Sequence, residues 1–168
     1  MSQVMKTASI DQVETSLAAV SAPLREKNHT VLQPILSDLI VYSLNLKQLH
    51  WNIVGAGFRS VHLHLDEIYA ETLTAIDTVA ERLSAVGHSP NGRSRDVAKE
   101  AELKDVPEGF THVEEVLLLA SQRTRELVGL IRDRMDTIEE VDTVTADMLH
   151  QIVAGLEKHH WMLQAQRI

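Results

Sequence analysis

The chain has 168 residues, 44% hydrophobic and 24% charged, with a formal net charge of −8 and no cysteine. That is the length of one domain with a sizeable core. Without cysteine there are no disulfides, thiolate zinc sites or cysteine nucleophiles, so any metal must be held by His, Asp or Glu, and the acidic balance repels nucleic acid unless basic groups are concentrated somewhere.

Aromatic residues make up 4% of the chain, with 7 Gly and 4 Pro. Sparse turn residues in a chain rich in Leu, Ala, Glu and Asp favour an all-α fold. Residues 1–25 read as a loosely held tail or short arm, and residues 26–168 as the domain. The tail sets Lys6 against Asp11 and Glu14 and has neither the basic start nor the apolar core of a signal peptide. No apolar run reaches about 18 residues, so no membrane span is expected, and a cytoplasmic protein is the default expectation.

From Thr30 to Asn52 apolar residues recur at helical spacing: Val31, Ile35, Leu39, Tyr42, Leu46 and Leu49, with Ile53 just beyond. Leu32, Leu36, Ile40 and Leu44 cover much of the other side, so this first long helix is expected to be covered on both faces, by its own bundle and by a partner. Pro34 falls near the first turn, where proline is tolerated. Val54-Gly55-Ala56-Gly57 breaks the helix. A second long helix is predicted from about Ser60 to Val86, with Gly87 as its C′ residue. Residues 88–110 hold Ser-Pro-Asn-Gly and Val-Pro-Glu-Gly around a short helical candidate, Arg95 to Leu103, and read as a long crossover. Thr111-His112-Val113-Glu114 has the form of a capping box opening a third helix to about Glu139. Asp142-Thr143 starts a fourth. Four helices with one long connection, between the second and third, form the ferritin-like version of the four-helix bundle.

The second long helix carries His62, Asp66, Asp77 and Glu81. At about 100° per residue all four fall within one stripe about 100° wide. A solvated charged face is the ordinary reading of such acids. Against it, Ala70 and Leu73 interrupt the stripe, and no cation stands four residues after Asp66 or Asp77 to pair with it. The two pairs are good metal clamps, yet Asp66 and Asp77 are about 16 Å apart along the axis and cannot meet at one ion within a chain. A second copy of the helix, antiparallel across a two-fold axis near residues 71–72, sets His62 and Asp66 of one chain against the other pair of its partner and forms two equivalent sites at once. His50, at the end of the first helix, is a further candidate ligand, although a lone histidine there is more often capped or in the core.

The run Lys47-Gln48-Leu49-His50-Trp51-Asn52-Ile53-Val54-Gly55-Ala56-Gly57-Phe58 is followed by Val61-His62-Leu63-His64-Leu65-Asp66-Glu67 and Asp77-Thr78-Val79-Ala80-Glu81-Arg82. Together these closely resemble the signature of the Dps family, small ferritin-like proteins that form twelve-subunit cages. The resemblance extends to Gly87-His88-Ser89-Pro90 and to Leu156-Glu157-Lys158-His159-His160-Trp161, and leaves out only the N-terminal tail. It implies a homo-dodecameric hollow cage with ferroxidase activity. His50, His62 and Asp66 match the ligands that one subunit gives to a site for two iron ions, and Asp77 and Glu81 match those of its two-fold partner. Trp51 matches a tryptophan beside that site, with core packing as its ordinary role. The family oxidises Fe(II), usually with hydrogen peroxide rather than oxygen, and stores ferric oxyhydroxide in the cavity. Glu67 and Glu71 are candidate mineral-nucleating acids, against solvated surface as the alternative. Asp147 matches a pore-lining acid at a three-fold channel. Asp142 is a weaker candidate, because acids at a helix start also serve as caps.

Other features are weighed down. Glu157 and His160 form a Glu-x-x-His, but di-iron bundles of that type use two and the chain has only this one at a useful place, so the pair reads as structural. His64 lies about 200° from His62 and cannot share its ion. His29, His88, His112 and His150 show no sequence partners. One lysine in the tail and a Gln166-Arg167-Ile168 end make DNA binding weak at most. The competing readings are a metal-dependent hydrolase using the same His and carboxylate groups, and a DNA-compacting stress protein.

Overall fold

A computed structural model describes residues 9–168. Lys6 lies outside the described residues. The elements run α1 (Ile10–Leu17), α2 (Ala22–Asn52), β1 (Ile53–Val54), α3 (Phe58–Ala85), α4 (Ser94–Glu100), β2 (Thr111–His112), α5 (Val113–Met135) and α6 (Thr143–Ala165). Helices α2, α3, α5 and α6 form the four-helix bundle. Helix α2 packs against α3 and α5, and α5 packs against α6, while α4 rides in the crossover against α2. The all-α class, the four long helices and the crossover helix agree with the periodicity.

Three boundaries differ from expectation, each for a visible reason. Helix α2 begins at Ala22, inside the segment read as an arm, with Pro23 in its first turn. Pro34 therefore sits in the helix interior, where it costs a backbone hydrogen bond. Val31, Leu32, Ile35 and Leu36 around it are buried, and their packing holds the helix through the break. Second, the expected capping box at Thr111 does not form. Thr111 and His112 instead pair in parallel with Ile53 and Val54, and the Thr111 hydroxyl donates to the Gly109 carbonyl at 3.3 Å. This two-residue ladder ties the end of α2 to the start of α5. Third, α5 stops at Met135, and turns carry the chain to Asp142.

Helix α3 is framed by two glycines. Gly57 stands at its N-cap with φ of 81°, and Gly87 follows its C-cap with φ of 89°, both left-handed conformations that a side chain would strain. At the far end the Gly87 amide donates to Ser84 and the His88 amide to Leu83, which closes the helix as a Schellman motif.

Three buried polar residues of α2 fasten the crossover. Gln33 exchanges hydrogen bonds with the Asn91 backbone, accepting at 2.9 Å and donating at 3.0 Å. The Asp38 carboxylate accepts from the Glu102 and Leu103 amides at 2.7 and 2.9 Å. Asn45 accepts from the Val106 amide at 3.0 Å and donates to the Lys104 carbonyl at 2.9 Å.

Asp142 caps α6, accepting from the Thr145 amide at 3.3 Å. Asn28 of α2 and Arg82 of α3 also donate to its carboxylate, at 2.8 and 2.9 Å, so one buried group joins three helices. That role replaces the candidate metal role of Asp142, because its oxygens are already committed within the chain. Burial alone would raise its pKa. The bonds from Asn28, Thr145 and Arg82 outweigh burial and bring it down to about 2 from an ordinary 3.8. A folded-state pKa below the unfolded value gives stability that is complete above the unfolded pKa and is lost as pH falls through the folded one. Wild-type protein is therefore expected to lose about 2 kcal/mol between roughly pH 4 and pH 2 through this residue. Asp142→Asn should flatten that part of a pH-dependent unfolding curve; an unchanged curve would remove Asp142 as the cause.

Candidate metal centre

The geometry starts from the contact between the end of α2 and the start of α3. His50 and His62 stack with ring centroids 3.7 Å apart and an interplanar angle of 23°. Each Nδ1 lies 3.1 Å from the backbone carbonyl of the other histidine. A carbonyl can only accept, so each Nδ1 carries the proton and each Nε2 keeps its lone pair for a metal. Asp66, one turn beyond His62, brings Oδ1 to 3.3 Å from His50 Nδ1. One donor atom from each of His50, His62 and Asp66 lies within 4.8 Å of the others, and no other such group occurs among the described residues.

Electrostatics favours the ligating forms. Burial, the largest influence, holds the His50 imidazole below its ordinary pKa, and the His62 carbonyl and Asp66 oppose it more weakly. A hydrogen bond from Lys47 holds the Asp66 carboxylate below its usual range. Lys47 Nζ is 2.6 Å from Asp66 Oδ1 and lies 4.7 Å from the centre of the Tyr69 ring. The ammonium is a built-in counter-charge where a cation is wanted. Such a half-exposed pair is worth at most about 1 kcal/mol. Lys47→Met is therefore expected to tighten binding of a divalent ion at His50, His62 and Asp66 by no more than about fivefold, measured by Zn²⁺ titration. Weaker binding in that variant would show that Lys47 helps to hold the ion.

The second half of the stripe is separate. Asp77 and Glu81 are exposed on α3, outside the gathered trio, as their distance along the helix requires. Leu73, on the same stripe, and Leu63 beside it are also exposed, which suits a face that another helix covers. On the second apolar side of α2, Leu32 and Leu36 are buried within the chain, Ile40 is only partly buried and Leu44 is 63% exposed, so this side is open at its Leu44 end alone.

Trp51 is 67% exposed, which overturns core packing as its role within the chain. It borders a shallow groove with Leu44, Gln48, Val106 and Glu108. The aromatic ring against the histidines is Phe58, 4.8 Å from His62, which the sequence reading did not single out. Lys47 was also missed, since its partner sits on the neighbouring helix.

The remaining candidates divide. Glu67 is exposed. Glu71 faces α6, with Oε2 2.9 Å from His159 Nε2, off the ring N–H axis, and Lys158 3.9 Å away. Behind it His159 meets His64 at 3.3 Å, and Gln166 donates to His64 at 2.9 Å, so His64 is buried rather than lining a surface. The Asp147 side chain is 82% exposed, and His150 lies between Asp147 and Glu139 at 3.9 and 3.6 Å. Glu157 accepts a hydrogen bond from Arg132, and His160 Nδ1 lies 3.0 Å from the Ser121 carbonyl.

A ferritin-like domain model matches residues 30–167. The DNA protection during starvation protein of Brevibacillus brevis is 37% identical over 131 residues, 77% of this chain and 87% of the relative. The crystal structure of a Dps protein from Bacillus brevis superposes with a TM-score of 0.80 at 33% identity, covering 87% of this chain and 98% of that one. Mycobacterium smegmatis Dps superposes at 0.84 with 28% identity, covering 88% and 90%.

Proposed function

The chain belongs to the Dps family of ferritin-like proteins, and from that premise we propose that it is a ferroxidase that oxidises Fe(II) at sites shared between two subunits and stores the ferric product. The observation that carries this is the split donor set. Two histidines and an aspartate are gathered within 4.8 Å, while Asp77 and Glu81 stand exposed on the same helix face, outside any such group among the described residues.

In this reading two chains pair through antiparallel α3 helices. Each pairing creates two sites, both with His50, His62 and Asp66 from one chain and Asp77 and Glu81 from the other. Iron is the substrate. His50 and His62 present Nε2, and Asp66 exchanges its contact with Lys47 for the metal. Two ferrous ions give up one electron each to one hydrogen peroxide, which takes two protons and leaves as two waters. Pairing the electrons avoids release of hydroxyl radical. Oxygen is the slower oxidant.

Further pairing yields a dodecamer whose cavity receives ferric oxyhydroxide. Glu67 and Glu71 offer carboxylates for nucleation, the latter shared with His159. Asp147, with Glu139 and His150 beside it, supports an acidic entry for Fe(II). Trp51 stands one residue from His50 and exposed, placed for an interface beside the iron site. The protein would protect DNA in the cytoplasm by removing iron and peroxide rather than by binding it, since each chain carries −8.

The test is size-exclusion chromatography with light scattering, then Fe(II) and peroxide. We expect a dodecamer that oxidises iron rapidly, with His62→Ala and Asp66→Ala each slowing it strongly in intact particles. A monomer, or an Asp66→Ala particle with unchanged oxidation, would end this reading.

A further inference from the structure

A second pair of histidines repeats the arrangement of the first at the other end of α2. His29 and His88 stack with ring centroids 4.4 Å apart and an interplanar angle of 27°. A carboxylate attends them, as Asp66 attends His50 and His62. Glu26 Oε1 lies 3.4 Å from His88 Nε2. Glu26 and His29 are three residues apart on α2, so their side chains leave the helix on one side. His88 is delivered by the Schellman turn that ends α3, its amide bonded to Leu83 and Gly87 in the left-handed conformation. The fold thus brings Glu-x-x-His on one helix to a third donor fixed by the backbone of another.

This cluster is far from the iron centre. His29 and His50 are 21 residues apart on one continuous helix, about 30 Å. The three donors are spread wider than those of His50, His62 and Asp66, and Glu26 supplies the slack, since its side chain is 64% exposed. The Glu26 carboxylate also meets Arg25 Nε, at 3.8 Å. A divalent ion bonds carboxylate oxygen at about 2 Å and displaces so distant a contact.

We infer that Glu26, His29 and His88 form a second metal site, selective for a divalent transition ion of the zinc or cobalt type. Two imidazoles and one carboxylate suit such an ion and do not suit magnesium or calcium, which prefer oxygen donors. The bound ion clips the start of α2 to the end of α3, next to the point where the Ala19 amide meets the Ala85 carbonyl at 3.4 Å.

The test uses assembled protein carrying His62→Ala and Asp66→Ala, so the iron centre cannot contribute. Zn²⁺ titration by calorimetry should still find one ion per chain. His29→Ala or His88→Ala added to that background should weaken it by at least about tenfold, with Glu26→Gln weakening it less. Co²⁺ should give the visible absorption of a nitrogen-bound ion, lost in the same variants. Should either histidine variant assemble poorly, carbethoxylation of the protein with both histidines in place decides: Zn²⁺ should shield His29 and His88 from the reagent. Zn²⁺ stoichiometry unchanged by both histidine variants, or no shielding of either residue, would overturn the site.

Discussion

Co-expressed in equal amounts, chains carrying His62→Ala with Asp66→Ala and chains carrying Asp77→Ala with Glu81→Ala are expected to oxidise Fe(II) at about a quarter of the wild-type rate, although each kind alone falls to about a hundredth or less. The arithmetic follows from the two-fold pairing. Random mixing makes about half of the dimers mixed. In a mixed dimer one site receives Asp77 and Glu81 from the chain that kept them and His62 and Asp66 from the other, and is whole. The second site collects every defect. One whole site in half of the dimers is about a quarter of all sites. The separation along α3 carries the prediction: eleven residues of helix part Asp66 from Asp77, and no side-chain rotation spans about 16 Å. If each chain owned a complete centre, both kinds would be dead and so would their mixture. Stopped-flow oxidation on particles of matched size decides it, and absence of recovery would sink the shared site.

How far the sequence reaches is visible in these residues. The stripe of His62, Asp66, Asp77 and Glu81 was legible because a helix turns its positions into fixed angles and rises, and the split between two chains follows from the rise alone. His50 gained meaning only through its neighbours. Lys47 was not legible, because it reaches Asp66 across the α2 and α3 contact, which periodicity along one helix does not encode; Phe58 stands four residues before His62 on α3, and that spacing was there to be read. His29 and His88 looked solitary for the same reason: 59 positions separate them, and only the closing turn of α3 brings them together. The third helix start shows a local signal overruled. Thr111 and Glu114 have capping-box spacing, yet Thr111 gains a backbone ladder with Ile53 that a capping role would forfeit. Gln33, Asp38 and Asn45 were passed over on an apolar helix, since the crossover amides they bind lie 58 to 65 residues away.

The largest loss of stability is expected from Asp38→Ala. Asp38 is fully buried, and one carboxylate oxygen accepts from two crossover amides while the other meets Arg134 at 3.0 Å. Arg134 is itself mostly buried and also holds Glu102 at 2.8 Å. Removing the Asp38 carboxylate leaves the Arg134 guanidinium with the exposed Glu102 as its remaining ion-pair partner among the described residues, and costs about 3 kcal/mol, the low end for a buried pair. The orphaned Glu102 and Leu103 amides add to this. For a chain of this size the midpoint of thermal unfolding should fall by about 10 °C or more. The damage should be local first. Residues 94–106 lose the middle of their three anchors to α2, with Gln33 and Asn45 still holding either end, while the bundle keeps its core, so limited proteolysis should cut there before elsewhere. Asp38→Leu with Arg134→Met should recover the part due to the stranded guanidinium and leave the part due to the two amides, because the double change removes both charges but supplies no acceptor. Full recovery would mean that the amides find other acceptors. No recovery would mean that the Asp38 carboxylate serves the crossover through backbone bonds alone, with Arg134 a bystander.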